Sequence, residues 1–229
     1  MKKNIFTFIF LFGILLAGKV SVAQDFTALY SYTYKSNQNG QSNHPNMNGI
    51  MLYYRLLTKG EQSVYYITMT DTSKYNREGA NHSDVVYTFL KEKKILKVDK
   101  SLIKNSARSY NFLNFQKLNI KNKNIIFGGH KAILVFGIVN EEEVNIYFIP
   151  DIPTPLGPSV YSGLPGLVVK VETPKAIIQL ISFERMKTEN YPYIDTTQLT
   201  LMDEKTYKDK KMKKVFKIIN ERKSKLNKD

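Results

Sequence analysis

The sequence predicts a mainly β protein, a curled antiparallel sheet or partly open barrel of about ten strands followed by an amphipathic C-terminal helix. Short segments of alternating apolar and polar residues recur from residue 26 onward, separated by Gly, Pro, Asn or charged turns at hairpin spacing. The chain from residue 203 instead spaces its apolar groups three, four or seven apart, as helices do. No internal repeat of about 20 to 50 residues is present, which argues against a propeller or solenoid.

The N-terminus has the layout of a secretory signal peptide. Lys2 and Lys3 precede an apolar run from Ile5 to Leu16, and the small-residue stretch 21–23 follows it. The run is short for a spanning helix, which needs about 20 apolar residues, so a retained membrane anchor is the less favoured alternative. We expect residues 1–23 to be removed before Gln24, leaving a soluble protein in the periplasm or outer cell envelope. No cysteine follows the run, which excludes a lipid-anchored form.

The amino-acid composition excludes several kinds of site. The chain has no cysteine, which removes disulfides, thiolate nucleophiles and sulfur metal sites from consideration. It has no tryptophan either, so Tyr and Phe must supply the large core groups. Residues 203–229 hold 11 basic and 5 acidic residues, so the last 27 residues carry +6 of the formal charge of +14. An exported chain with such a tail meets anionic lipid rather than nucleic acid, so we expect no nucleic-acid partner. A solvated helix face is the simpler explanation of the charge.

The β-rich domain is predicted over residues 24–202. Its first strand alternates Phe26, Ala28, Tyr30, Tyr32 and Tyr34 with polar residues. A loop at 36–49 precedes a hairpin whose turn is Lys59-Gly60, where glycine can adopt the positive φ of a tight turn. A second polar stretch covers 71–84. The remaining strands of the domain are predicted, in order, at Ile50–Thr58, Ser63–Thr70, Val85–Leu90, Ile95–Val98, Tyr110–Leu118, Ala132–Val139, Val144–Ile149, Leu167–Val171 and Ala176–Phe183.

The third predicted unit, 203–229, is a basic amphipathic helix from about Asp203 to Leu226. Its apolar stripe consists of Tyr207, Met212, Val215, Phe216, Ile219 and Leu226. Asp203 and Glu204 lie at its start, where the helix dipole favours anions. Most amphipathic helices of globular chains pack on the core, so docking of the stripe on the sheet is the favoured expectation. Binding to an anionic membrane surface is the alternative.

The sequence carries no recognisable catalytic signature. His44, His82 and His130 lack the spacing of metal ligands. The run 141–143 contains three glutamates, but adjacent strand residues point to opposite faces, so a turn role is favoured over a metal site. Ser162 does not lie in a nucleophile elbow. We therefore expect no catalytic residues, no cofactor and no metal. A non-catalytic accessory protein is favoured over an enzyme.

The segment from Pro150 to Val171 is unusual in its proline content. Four prolines precede Tyr161, and each fixes φ and removes a backbone donor, so Pro150–Pro158 cannot be a central strand. The tetrapeptide 164–167, Leu-Pro-Gly-Leu, matches a type II turn. The chain is therefore expected to make a stiff crossing and then turn sharply into the strand that begins at Leu167.

These residues resemble the GLPGLI family of exported proteins from Gram-negative bacteria. The motif runs from Gly163 to Val168, and the resemblance extends upstream to residues 129–132 and downstream to the Phe183-Glu184 strand end. It implies a signal peptide, an envelope location and an uncharacterised role beside outer-membrane transporters. Two positions depart from the family pattern: His130 stands near a common cysteine, and Glu141-Glu142 near a Gly-Arg pair. The candidate motif and partner-contact residues are Tyr161, Gly163, Leu164, Pro165, Gly166 and Leu167.

The function expected from the sequence is a non-catalytic envelope protein that binds a partner. That partner would be an outer-membrane transporter, or an apolar ligand held by the curled sheet. The alternative is a hydrolytic enzyme whose site is assembled from residues distant in sequence. For the motif itself, a structural role is favoured over a contact role, because Pro-Gly turns usually serve the fold.

Overall fold

In a computed structural model, the described residues are 25–35, 51–70, 84–99, 103, 106–185 and 191–226. The expected signal peptide and the loop at 36–49 lie outside this part of the chain, as does nearly all of the polar stretch at 71–84. Twelve strands and one long helix are described, and the first strand and the hairpin around Gly60 are confirmed. The elements are β1 Phe26–Tyr34, β2 Met51–Lys59, β3 Gln62–Thr70, β4 Val85–Phe89, β5 Lys94–Asp99, β6 Ser106–Asn111, β7 Asn119–Phe127, β8 His130–Val139, β9 Glu142–Ile149, β10 Leu167–Glu172, β11 Ala176–Arg185, β12 Thr200–Met202 and α1 Glu204–Leu226.

All twelve strands belong to one sheet, in the order β12-β6-β5-β4-β3-β2-β1-β11-β10-β9-β8-β7. Consecutive β6 and β7 lie ten positions apart in this order, about 48 Å across a flat sheet. The link 112–118 joins them, and an extended chain of that length spans only about 28 Å. The sheet must therefore curl, and it does so without closing into a barrel. This confirms the predicted fold class.

The curl brings two halves of the sheet together around one core. Buried apolar residues of β1–β5 pack against those of β8–β11 on the inner face. A second, smaller cluster lies on the opposite face of β2–β6, where Tyr191, Ile194 and Leu199 cover it. Leu56 belongs to the main core and Leu57 to the second cluster, because successive residues of a strand point to opposite faces of the sheet.

Two predictions about the strands are wrong. Tyr110–Leu118 is not one strand: β6 ends at Asn111, and a short 3₁₀ turn occupies Phe115–Lys117, where the Asn114 side chain accepts from the Gln116 amide at 3.0 Å. Strands β7 and β12 were not predicted. Strand β7 is an edge strand in the described sheet and is rich in exposed Asn and Lys, so it lacks the apolar alternation of a half-buried strand. The three-residue β12 pairs in parallel with β6 and is too short to leave a pattern.

Candidate functional site

The proline-rich segment 150–166 folds inward against the sheet. Leu156 and Leu164 are completely buried in the main core. The Val168 amide donates to the Leu156 carbonyl at 3.0 Å, and the Gly163 amide donates to the Pro155 carbonyl at 2.8 Å. The segment is therefore a packed connection between β9 and β10 with its own backbone hydrogen bonds.

The turn at Pro165 differs from the predicted type II turn. The Gly166 amide donates to the Leu164 carbonyl at 2.8 Å, which closes a three-residue turn around the proline. The Leu167 amide bonds instead to the distant Ile152 carbonyl at 3.0 Å. Gly166 has φ of +159°, far from the roughly +80° of a type II turn. The fixed φ of proline suits the centre of the smaller turn, and Pro153 has the same arrangement.

Close backbone contacts explain the two glycines of the motif. A Cβ on Gly166 would lie 2.3 Å from the Ile149 carbonyl oxygen. A Cβ on Gly163 would lie 2.7 Å from the Leu113 nitrogen, and Gly163 also has φ of +117°. The Leu113 amide donates to the Ser162 carbonyl at 2.8 Å, so the link between β6 and β7 rests directly on the motif.

The predicted motif residues are mostly interior. Leu164, Gly166 and Leu167 are buried, Gly163 and Tyr161 are partly buried, and Pro165 is exposed. These burials favour the structural role of the motif. A contact role stays a prediction, and Tyr161, Gly163 and Pro165 are the motif residues that are not buried.

Tyr161 belongs to a tyrosine cluster that sequence reasoning did not identify as a site. We define this cluster as Tyr30, Tyr32, Tyr54, Tyr65 and Tyr161; the last is close enough to Tyr32 and Tyr65 to raise their pKa values. Tyr54 and Tyr65 stack with ring centroids 4.9 Å apart, while Tyr30 meets Tyr65, and Tyr32 meets Tyr54, each at 6.0 Å. The sequence pattern places Tyr30 and Tyr32 on one face of the first strand, but it does not predict that they meet Tyr54 and Tyr65, because that convergence depends on the pairing of β1, β2 and β3.

The cluster is a low-dielectric environment for its phenols. Burial and the nearby charge of Glu142 raise the pKa of Tyr161 to about 12. Burial is also the main cause that raises the pKa of Tyr32 to about 12, and it raises the pKa values of Tyr30 and Tyr65 further. The phenols of Tyr30, Tyr32, Tyr65 and Tyr161 are therefore neutral at physiological pH.

The glutamates, Ser162 and His130, which the sequence analysis considered as possible catalytic or metal-binding residues, do not form a site. Glu141 has positive φ in the tight β8–β9 turn, which agrees with a turn role, and Glu142 pairs with Lys175. Ser162 is buried, and its Oγ accepts from the Gly157 amide at 3.2 Å. His130 is exposed, whereas His44 and His82 lie outside the described residues. In the described part of the chain, no group of three or more His, Asp or Glu side chains is placed to hold a metal ion.

An ion-pair network anchors the start of α1 to β6. Arg108 lies 3.2 Å from the Asp84 carboxylate and 3.4 Å from that of Glu204, and its guanidinium is 3.9 Å from the centre of the Tyr207 ring. Tyr110 donates to Glu204 at 2.9 Å, and Tyr207 donates to Asp99. Partial burial opposes ionisation of Glu204, but the Tyr110 hydrogen bond and the charge of Arg108 outweigh it and hold the pKa of this carboxyl below its usual range.

Beyond this anchor, α1 leaves its apolar face uncovered. The predicted bounds of the helix are confirmed, and Asp203 caps it by accepting from the Thr206 amide at 2.8 Å. Tyr207 is only 2% exposed, but Met212, Phe216 and Ile219 are 56%, 57% and 41% exposed. The expected docking of the stripe on the sheet is therefore wrong for these three residues. No helix in the described part of the chain has the length and apolar character needed to cross a membrane.

Comparison with solved structures supports the fold. The chain is similar to PNGF-II in its P21 crystal form, with a TM-score of 0.54, 18% sequence identity, and coverage of 82% of this chain and 33% of that one. For the C2 form the TM-score is 0.54 at 17% identity, covering 84% of this chain and 33% of that one. The chain thus spans about a third of the length of PNGF-II, and identity this low shows a shared fold alone. No protein-family model matches the chain, and no curated protein matches its sequence.

Proposed function

We propose that this chain is an exported, non-catalytic envelope protein of the GLPGLI type, and that α1 attaches it to an anionic lipid surface. The observation that carries the proposal is the exposed apolar face of Met212, Phe216 and Ile219 on a helix anchored at its first turns. Large apolar side chains are unfavourable in water, so three of them on one face favour a partner.

The charge around that face favours lipid over a second copy of the chain. The residues from 203 to the end hold 11 Lys or Arg and 5 Asp or Glu, so two such helices repel each other. Each Lys or Arg near an anionic membrane surface contributes about 1 kcal/mol to the free energy of binding. Apolar side chains on the same helix strengthen binding further, because they become buried at the boundary between headgroups and acyl chains. An outer-membrane protein remains the other candidate partner.

No specific observation favours the hydrolytic alternative. Among the described residues, the carboxylates of Asp84, Asp99 and Glu204 are engaged by Arg108, Tyr207 and Tyr110. Such a network serves to hold the helix. Glu142, the carboxylate whose charge acts on Tyr32 and Tyr161, is paired with Lys175.

The test is flotation of the exported protein with lipid vesicles. We expect binding to phosphatidylglycerol-containing vesicles, weakening as salt rises, and little binding to pure phosphatidylcholine. Ile219→Asp places a carboxylate on the apolar face, whereas Asn220→Asp makes a matched change about 100° around the helix. Binding should fall at least about tenfold further for Ile219→Asp. Equal loss in both variants, or capture by an envelope protein without vesicle binding, would reject lipid as the partner.

A further inference from the structure

Met212 lies in the middle of the exposed apolar face of α1. At about 100° per residue, Phe216 and Ile219 lie about 40° and about 20° to either side of it around the helix axis. Tyr207, whose hydroxyl donates to Asp99 of β5, lies about 140° away from Met212 around the same axis. A change in the polarity of Met212 therefore alters the face that is proposed to contact lipid and leaves the anchor of the helix intact.

The sulfur of Met212 is accessible to small molecules in water. The chain has no cysteine, so methionine supplies all of its sulfur. The structure describes the side chains of Met51, Met202 and Met212. Met212 is 56% exposed, whereas Met51 in β2 is 37% exposed and Met202 in β12 is partly buried. Met212 is thus the most exposed of the three, and it is the one that lies on the apolar face.

Oxidation converts such a side chain from an apolar group into a polar one. The thioether sulfur attacks one oxygen of hydrogen peroxide, the O–O bond breaks, an S–O bond forms, and a sulfoxide and a water molecule result. The sulfur is oxidised by two electrons, and the peroxide is reduced by the same two. Moving the polar sulfoxide out of water without a hydrogen-bond partner is unfavourable, so the oxidised side chain opposes insertion into a bilayer.

We propose that Met212 is an oxidation site that controls the attachment of α1, and that its conversion to the sulfoxide by hydrogen peroxide releases the protein from an anionic membrane. This inference rests on the proposed function, because it concerns regulation of the same surface. The release is reversible, since methionine sulfoxide reductases return the sulfoxide to the thioether. Insertion of the apolar face into the headgroup region in turn shields the sulfur from aqueous peroxide.

Flotation with vesicles before and after peroxide treatment tests the inference. We expect the oxidised protein to bind phosphatidylglycerol-containing vesicles at least about fivefold more weakly than the untreated protein. Met212→Leu keeps the face apolar and cannot form a sulfoxide, so treatment should not change its binding. Met51→Leu is the matched control, because it removes the exposed methionine of β2 and should still lose binding when oxidised.

Two further measurements separate release from general damage. Treatment of the oxidised protein with a methionine sulfoxide reductase should restore vesicle binding. Peptide mass spectrometry should show that vesicles slow the oxidation of Met212 and leave that of Met51 unchanged. Equal vesicle binding before and after oxidation of Met212, or a loss of binding that persists in Met212→Leu, would overturn the inference and leave the lipid proposal standing. Absence of vesicle binding by the untreated protein would reject both.

Discussion

Gly166 and Ile149 lie against each other so closely that a Cβ on Gly166 would be 2.3 Å from the Ile149 carbonyl oxygen. Ile149 is the last residue of β9, and Leu167, which follows Gly166, pairs with it in β10. The connection 150–166 therefore leaves the sheet and returns at one point, as compact surface loops do. Here, however, much of the loop is buried, because Leu156 and Leu164 enter the core.

Substitution of Gly166 should destabilise the protein through this contact. Gly166→Ala brings a methyl group against backbone atoms that cannot rotate away, and overpacking of this kind costs about 3 kcal/mol. Gly60→Ala is the control: Gly60 has φ of +57° but nothing within 4 Å of an added Cβ, so it should cost about 1 kcal/mol. Urea unfolding measures both. A smaller loss for Gly166→Ala than for Gly60→Ala would contradict the contact.

Leu164 should be essential for folding, whereas its neighbour should not. Leu164 is fully buried in the core, so Leu164→Ala should lower the free energy of unfolding by about 2 to 5 kcal/mol. Leu164→Asp buries a carboxylate and should leave the protein unfolded. Pro165→Ala changes an exposed residue and should cost less than about 1 kcal/mol. If Leu164→Asp melts normally and only loses a partner, the motif is a contact surface.

Periodicity predicted most of this fold because most strands have one face on the core. The strand from Phe26 to Tyr34 alternates so regularly that its inward tyrosines could be read directly. Strand β7 could not be predicted in the same way, because an exposed edge imposes no apolar pattern. Contacts between residues distant in sequence could not be predicted either. Tyr30 and Tyr65 meet only because of the register of their strands. The need for glycine in the motif comes from close contacts with Leu113 and Ile149. Such long-range contacts leave no local signal.

The two parts of α1 should differ in their effect on stability. Tyr207 is buried and Glu204 pairs with Arg108, whereas the described residues from Met212 onward are exposed or only partly buried. Deleting 212–229 should therefore leave the melting temperature nearly unchanged. Deleting 203–229 removes the anchor as well, and each kcal/mol lost should lower the melting temperature by about 2 to 4 °C. A large decrease with the shorter deletion would show that the apolar stripe does pack on the sheet.

Alkaline pH should weaken the fold through the tyrosine cluster. Burial and the charge of Glu142 raise the pKa of Tyr161 to about 12 in the folded state, against about 10 for an exposed tyrosine. A raised folded-state pKa gives stability that is complete below the unfolded pKa and lost as pH rises through the folded one. The free energy of unfolding should thus fall between about pH 10 and pH 12. Urea unfolding across this range, with Tyr32→Phe/Tyr161→Phe as comparison, should show a shallower slope in the variant.

Export is the remaining prediction, and it rests on the sequence before residue 24. Signal peptidase requires small residues at two sites separated by one tolerant position, which Ser21 and Ala23 provide on either side of Val22. Ala23→Tyr should block removal of residues 1–23, whereas Val22→Tyr should be processed normally. Mass spectrometry of envelope fractions should find Gln24 as the first residue of the unsubstituted protein and of the Val22 variant. Recovery of the unsubstituted chain with Met1 intact in the inner membrane would show that the apolar run is an anchor, and α1 would then act on a protein already held at a bilayer.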